Sequence, residues 1–142
     1  LTNALLPHLR KQPAAPVMNV TSGLAFLPLT MTPTYCATKA ALHSYSESLR
    51  YQLRESSVEV LELAPPYVQT YLTGARQKAD PRALPLDEFI DEVMAIIASE
   101  PASGEICVER VLPLRDAADN GRENYQKQFI GFNEAMAAGH ES

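Results

Sequence analysis

A phenol and an ammonium group, those of Tyr35 and Lys39, lie four residues apart in a segment with helical periodicity. Residues at i and i+4 share a helix face, so the two side chains would lie side by side. A free phenol titrates near ~10, which is too high for a base at neutral pH. A positive charge about 5 Å away, at an effective dielectric of about 20, favours the phenolate by about 3 kcal/mol. The pair therefore suits acid–base chemistry, although this spacing alone is more often found on a solvated helix surface.

Ser22 lies thirteen residues before Tyr35. It follows the apolar run Val17–Val20, which is bounded by Pro16 and Gly23 and predicts a short buried strand. Catalytic groups in open α/β sheets lie at the carboxyl ends of strands, which is where this prediction places the serine. The serine is not part of a Gly-x-Ser-x-Gly turn, and this disfavours an α/β-hydrolase.

Two stretches of the chain resemble the short-chain dehydrogenase/reductase family. The first runs from Asn19 to Leu42 and contains the serine together with the Tyr-x-x-x-Lys pair. The second, Pro65-Pro66-Tyr67-Val68-Gln69-Thr70, begins thirty residues after Tyr35 and resembles the family's Pro-Gly-x-Val-x-Thr segment, which contacts the nicotinamide. Pro66 stands where the family usually has Gly, and a proline fixes φ and narrows the turn. The similarity extends over essentially all 142 residues.

The resemblance implies an NAD- or NADP-dependent oxidoreductase that interconverts an alcohol and a carbonyl by hydride transfer. It implies that Tyr35 supplies or removes the proton and that Ser22 hydrogen-bonds the substrate oxygen. Lys39 would hold the nicotinamide ribose and lower the pKa of the phenol. The partner would be a small-molecule alcohol or carbonyl substrate.

The cofactor contacts implied by the resemblance come from Tyr35, Lys39, Pro65, Val68 and Thr70. The Thr70 side chain and the Val68 backbone would hydrogen-bond the nicotinamide carboxamide. The six glycines form no Gly-x-x-x-Gly-x-Gly cluster, so nothing in the sequence is suited to cradling a pyrophosphate at a helix N-terminus. The acid or base that selects NAD or NADP and the family's catalytic Asn are absent as well.

We therefore expect residues 1–142 to form a partial single domain, the catalytic and substrate-binding half of such an enzyme without its nucleotide-binding half. The chain begins inside a helical pattern with no initiator Met, which agrees with this expectation. The alternative is a truncated, non-catalytic remnant or interaction module that cannot bind a dinucleotide alone. The intact serine, tyrosine and lysine favour enzyme ancestry, whereas the missing phosphate loop favours the alternative for the chain as it stands.

Apolar periodicity predicts the elements that would position these residues. Helices are predicted over 1–12, 35–55, 87–97 and 123–138, and strands over 17–20, 58–63 and 105–112. Alternation of this kind predicts a Rossmann-like α/β fold, the C-terminal half of a doubly wound parallel sheet with three strands and flanking helices. Residues 71–84 lack periodicity and are expected to form a mobile lid over the substrate. The aromatic stripe of the last helix is expected to be core.

By resemblance, helices 1–12 and 35–55 would pack against their copies in a homodimer. A finer similarity, carried by Glu62–Pro66 and by residues 104–110 and 132–133, is to a bacterial subgroup labelled as acting in D-alanine esterification of teichoic acid. That label is poor evidence of substrate.

Composition excludes several other classes of protein. The net charge of −5 and the pI near 5.1 disfavour a nucleic-acid partner, which would select a basic surface. No apolar run reaches the roughly 18 residues that cross a bilayer, so no membrane association is expected. Cys36 and Cys107 do not suggest a disulfide framework, and a reducing cytoplasm is expected. The histidines (His8, His43 and His140) show no metal-ligand spacing with them, so no metal site is expected.

Overall fold

Helices and strands alternate along the chain in the computed structural model, which describes residues 1–101 and 103–139. The elements are α1 Thr2–Leu9, β1 Ala15–Val20, α2 Pro33–Leu53, β2 Val58–Leu63, α3 Ala75–Ala79, α4 Leu86–Ala98, β3 Glu105–Ile106, α5 Leu112–Arg115 and α6 Gly121–Ala138. Two 3₁₀ turns cover Gly23–Ala25 and Glu109–Val111. Within the described part of the chain, no helix has both the length and the apolar character that a membrane span requires.

The three strands form one parallel sheet in the order β1-β2-β3. The register of β1 on β2 runs from Ala15 opposite Val58 to Val20 opposite Leu63. Parallel strands require crossover connections, and α2 supplies the one between β1 and β2. The predicted Rossmann-like α/β architecture is confirmed.

The core consists of two layers, one on each face of the sheet. On one face, Leu49 and Leu53 of α2 pack against Val58 and Val60 of β2. On the other face, α4 packs its apolar stripe against β2 and β3. That second cluster contains Leu61, Val93, Ile106 and Val108. The apolar positions of β2 thus divide between the two faces, as the period of two in a strand requires.

The third strand is much shorter than predicted, because only Glu105–Ile106 of the expected 105–112 segment pairs with β2. Its neighbour β2 ends at Leu63. The last backbone hydrogen bond between the two segments runs from the Ala64 amide to the Ile106 carbonyl. The next two residues of that neighbour are prolines, which have no amide hydrogen to continue the ladder. Val108, which was expected to lie in the strand, is buried but belongs to the turn that follows β3.

Residues 71–84 are more regular than the sequence predicts. They contain α3, and the segment is closed at its base by bonds from the Gln69 amide to the Leu84 carbonyl and from the Leu84 amide to the Tyr67 carbonyl. The buried Gln77 side chain donates to the Val68 carbonyl at 2.8 Å. Backbone bonds at the base and the Gln77 side-chain bond hold this segment together, which explains why apolar periodicity did not predict its structure.

The aromatic stripe of α6 is not core, contrary to the expectation. Tyr125, Phe129 and Phe132 are half-buried and Met136 is exposed. The helix lies on the surface, because both faces of β2 are already covered, one by α2 and the other by α4.

Candidate active site

Lys39 is anchored at the carboxyl end of β1. Its Nζ atom donates to the Val20 carbonyl at 2.8 Å. The next residue, Thr21, donates its amide to the Leu63 carbonyl of β2, and alternate residues of a parallel strand bond to opposite sides. The Val20 carbonyl therefore faces away from β2, so the ammonium lies beside the far edge of β1.

Tyr35 lies one turn before Lys39 on α2. The Lys39 Nζ atom is 5.6 Å from the centroid of the Tyr35 ring. The ring is 38% exposed, so its face and edge are accessible to a substrate. The structure thus brings a phenol and an ammonium side by side at the end of a strand, which is the arrangement that proton transfer to a bound oxygen needs.

Ser22 is the second residue beyond β1 and is 7% exposed. Its Oγ atom accepts a hydrogen bond from the Leu24 amide at 3.2 Å and so caps the turn that follows. The Gly23 amide donates to the Pro65 carbonyl at 3.0 Å, which ties this turn to the segment after β2. The serine and Pro65 therefore lie at the same edge of the sheet as the Tyr35–Lys39 pair.

Val68 and Thr70 lie further along that segment, at the base of the closed 71–84 region. The Thr70 Oγ atom accepts from the Leu72 amide at 3.4 Å and from the Gln77 Nε2 at 3.2 Å, so its own hydroxyl hydrogen remains available to donate. Among the described residues, no hydrogen bond joins Val68 or Thr70 to the serine, the tyrosine or the lysine. The structure orders these two residues without bringing them into contact with the other three.

A polar cluster beneath the Ser22 turn was missed by the sequence analysis. Glu62 is fully buried in β2, where its carboxylate accepts from the Thr21 hydroxyl at 2.7 Å. Both of its oxygens lie 3.0 Å from Nδ1 of His43 on α2. The sequence did contain a hint of this cluster, because Glu62 is an acid within a mostly apolar strand. Periodicity alone assigns such a residue to an exposed position.

The cluster continues into β3 through a second acid. Glu105 pairs with Arg115 through two bonds of 2.7 and 3.2 Å. Burial, and after it the charge of Glu105, raise the pKa of the neighbouring Cys107 thiol to about 11.

The other two histidines are not part of this cluster as the structure describes it. His8 of α1 is exposed and hydrogen-bonded only to Gln12 in the described residues, and His140 lies outside them.

Comparisons with known proteins agree with this geometry. The family model for short chain dehydrogenases matches residues 1–81. The "Uncharacterized oxidoreductase DltE" of Bacillus subtilis (strain 168) is 45% identical over 136 residues, which are 94% of this chain and 52% of that protein. An uncharacterized oxidoreductase of Staphylococcus epidermidis is 32% identical over 91 residues, 64% of this chain and 40% of the relative. This chain therefore spans about half the length of these relatives or less.

A solved structure shares the fold. A short chain dehydrogenase from Burkholderia cenocepacia J2315, crystallised in complex with NADP, superposes with a TM-score of 0.75 at 22% identity. The match covers 90% of this chain and 52% of that one. The Bacillus relative confirms the subgroup similarity expected from the sequence. With a family model over residues 1–81 and a shared fold, the chain belongs to the short-chain dehydrogenase family of oxidoreductases.

Proposed function

We propose that this chain is the catalytic and substrate-binding half of an NAD(P)-dependent oxidoreductase that interconverts an alcohol and a carbonyl. The observation that supports the proposal best is the convergence at one strand end. There the ammonium of Lys39 lies 5.6 Å from the Tyr35 ring, and the Ser22 turn is fastened to the segment after β2. Family membership supports the reaction class, and the position of the three side chains is compatible with the roles that we propose for them.

In this mechanism Tyr35 holds the proton that moves to or from the substrate oxygen. Ser22 fixes that oxygen with its hydroxyl, which is already oriented by its bond from the Leu24 amide. Lys39, held by the Val20 carbonyl, places a positive charge beside the phenol at which the proton is exchanged. Holding these groups in place before substrate arrives supplies much of the reduction of the barrier.

The residues present fit the nicotinamide end of NAD or NADP. The free hydroxyl hydrogen of Thr70 can donate to a carboxamide, and Pro65 and Val68 lie in the same segment. The bound cofactor would supply or accept the hydride. Lys39 remains near enough to the strand edge to hold a ribose hydroxyl.

The pyrophosphate end would need a second segment, and we propose that it comes from a nucleotide-binding half joined to this chain. The far edge of β1 is unpaired among the described residues. Met18 and Val20, on the face of β1 that α2 does not cover, are 40% and 47% exposed. A strand beside β1 and a helix over this face would bury them.

We also propose a substrate role for the closed region 71–84. Its residues Tyr71 and Leu72 are exposed apolar side chains directly after Thr70. Loops at strand ends commonly determine specificity. A substrate of mixed polar and apolar character would contact these side chains, and movement about the base at Gln69 and Leu84 would open the site.

A homodimer through α1 and α2 is the assembly that we propose. The side chains of Ala37, Ala41, Ser44 and Ser48 are small and exposed on α2, and Leu5 is exposed on α1. Small residues let two helices approach closely, and a two-fold contact uses the same surface of both copies. A monomeric complete protein in light scattering would contradict this assembly.

The unpaired cysteines are consistent with the cytoplasmic location that we propose.

The experiment compares variants of the complete protein that carries this chain, with NADH or NADPH oxidation measured on a panel of aldehydes and ketones. Tyr35→Phe should lower kcat by about 10²- to 10⁴-fold, because general acid–base catalysis contributes about that much. Ser22→Ala and Lys39→Met should also lower it. The matched control is Tyr51→Phe, an exposed tyrosine on the same helix, which should leave kcat unchanged.

Two outcomes would contradict the proposal. Equal activity of Tyr35→Phe and Tyr51→Phe would remove Tyr35 from the mechanism. Failure of the complete protein to bind either cofactor in a fluorescence titration would favour the alternative, a non-catalytic remnant or interaction module. The 142 residues alone should bind neither cofactor tightly, because they offer only the nicotinamide contacts.

A further inference from the structure

The polar cluster near the Ser22 turn, formed by His43, Glu62 and Glu105, plays no part in the hydride transfer proposed above. We propose that His43, Glu62 and Glu105 form a binding site for one divalent cation of the zinc class. The three residues belong to α2, β2 and β3, so a cation there would fasten three elements together at the level of the candidate active site.

The geometry of the donor atoms supports the site. One imidazole nitrogen and one carboxylate oxygen from each of the two glutamates lie within 4.8 Å of one another. Zinc binds nitrogen and oxygen at about 2.0–2.2 Å, so ligands around one ion lie roughly 3–4 Å apart. His43 Nδ1 and the Glu62 oxygens are 3.0 Å apart, a hydrogen-bonded contact that a bound ion would replace. Small side-chain movements would complete a three-ligand site with room for water.

Each of the three donors also has an outer partner that fixes its direction. The other ring nitrogen of His43 faces a Glu47 oxygen at 3.6 Å. The Thr21 hydroxyl donates to Glu62 and the Arg115 guanidinium donates to Glu105. Metal-binding imidazoles and carboxylates are oriented by outer hydrogen bonds of this kind.

The balance of charge favours a cation. Glu62 is completely buried, and an ionised buried carboxylate needs a positive partner. Glu47 and Glu62 both lie within 4 Å of the His43 ring, and Glu105 completes the group of acids. The Arg115 guanidinium pairs with Glu105. These side chains include more carboxylates than guanidinium groups, an excess of acids that a divalent ion would balance.

An approach for the ion exists next to the site. A surface cavity of about 260 Å³ is bordered by Glu105, Arg115 and Cys107. Its rim also contains Asp116 and Asp119, two further acids that would attract a cation.

The test is a calorimetric titration of the chelator-treated, purified chain with zinc chloride alone at neutral pH, together with thermal unfolding. We expect one equivalent of bound zinc and a higher midpoint of unfolding. His43→Gln and Glu105→Gln should each weaken binding by about tenfold or more, since even outer-shell changes cost about that much. The matched controls are His8→Gln and Glu59→Gln, which change an exposed histidine and an exposed glutamate.

Several results would overturn the proposal. Binding of less than one equivalent, or equal affinity in His43→Gln, Glu105→Gln and their controls, would show that zinc binds elsewhere. Loss of binding in Cys107→Ser would assign the metal to the thiol instead. Glu62→Gln changes a fully buried group, so the less buried Glu105 decides the outcome if that variant does not fold. Enzyme activity enters none of these readouts, so they do not depend on the proposed reaction.

Discussion

Single side chains hold the two halves of the candidate site in place through contacts with the backbone. Lys39 reaches the Val20 carbonyl, and Gln77 reaches the Val68 carbonyl. The Asp80 carboxylate accepts four hydrogen bonds. Three come from the Arg82 Nη2, Nε and backbone amide, and one comes from the Tyr67 hydroxyl. Arg82 in turn donates to the Gly139 carbonyl, so one acid links the 71–84 region to the end of α6.

The hydrogen bonds from the Arg82 side chain and then from its amide hold the pKa of Asp80 well below its usual range. A carboxyl whose pKa falls on folding stabilises the protein above its unfolded pKa of about 3.9, and this stabilisation is lost as pH falls towards the folded value. Asp80→Asn should lower the thermal midpoint at pH 7 and reduce the further loss below about pH 4. Asp91→Asn, an exposed acid of α4, is the control. Parallel pH profiles for Asp80→Asn and the unchanged chain would show that Asp80 does not stabilise the fold.

At the scale of elements, the contact between α2 and the sheet depends on a close approach at Gly104. Arg50 of α2 donates to the Val60 carbonyl at 2.9 Å and to the Gly104 carbonyl at 3.3 Å. The Glu62 amide donates to that same Gly104 carbonyl at 2.8 Å, just where β3 begins. Gly104 has a φ of +69°, and a Cβ there would lie 2.9 Å from the Val60 carbonyl oxygen. A side chain at this position would separate the guanidinium from both strands.

Gly104→Ala should therefore destabilise the chain by about 2 kcal/mol or more, through the left-handed backbone and the steric contact together. Gly131→Ala offers a matched comparison, because that glycine lies within α6 and a Cβ there meets nothing within 4 Å. It should be stabilising by about 0.5–1 kcal/mol, since alanine is the better helix former. Urea denaturation measures both changes. Equal stability of the two variants would refute the requirement for glycine at position 104.

At the scale of the whole molecule, the sheet is closed on one side and open on the other. Helices α2 and α4 cover the two faces of β2, whereas β1 is covered on one face and unpaired along its far edge within the described residues. An unpaired, apolar strand edge is a template for pairing with another chain. The isolated chain should therefore associate through β1 unless the proposed nucleotide-binding half covers it.

Met18→Lys should reduce that association, because a lysine on an edge strand opposes pairing. The matched control is Met136→Lys. Met136 is 38% exposed, close to the 40% of Met18, but it belongs to α6 and not to the edge strand. Light scattering of the purified chain at increasing concentration gives the measurement. If both lysine variants associate like the unchanged chain, β1 is not the contact surface.

The sequence by itself determined the features that depend on near neighbours along the chain. The 3.6-residue period placed Tyr35 and Lys39 on one face of α2, and the apolar runs located β1 and β2 within two residues of their observed limits. The order of these elements predicted the parallel sheet, because short connections and alternating helices leave few other arrangements. Those features are encoded locally, in spacing that one segment carries alone.

Only the tertiary structure decided the features that depend on distant partners. The length of β3 is limited by Pro65 and Pro66, which follow the neighbouring strand β2 about forty residues earlier in the chain. The burial of Glu62 is possible because Thr21, 41 residues away, and His43, 19 residues away, satisfy its carboxylate. A periodicity argument assigns a charged residue to solvent, since it cannot count the hydrogen-bond partners that folding brings to it.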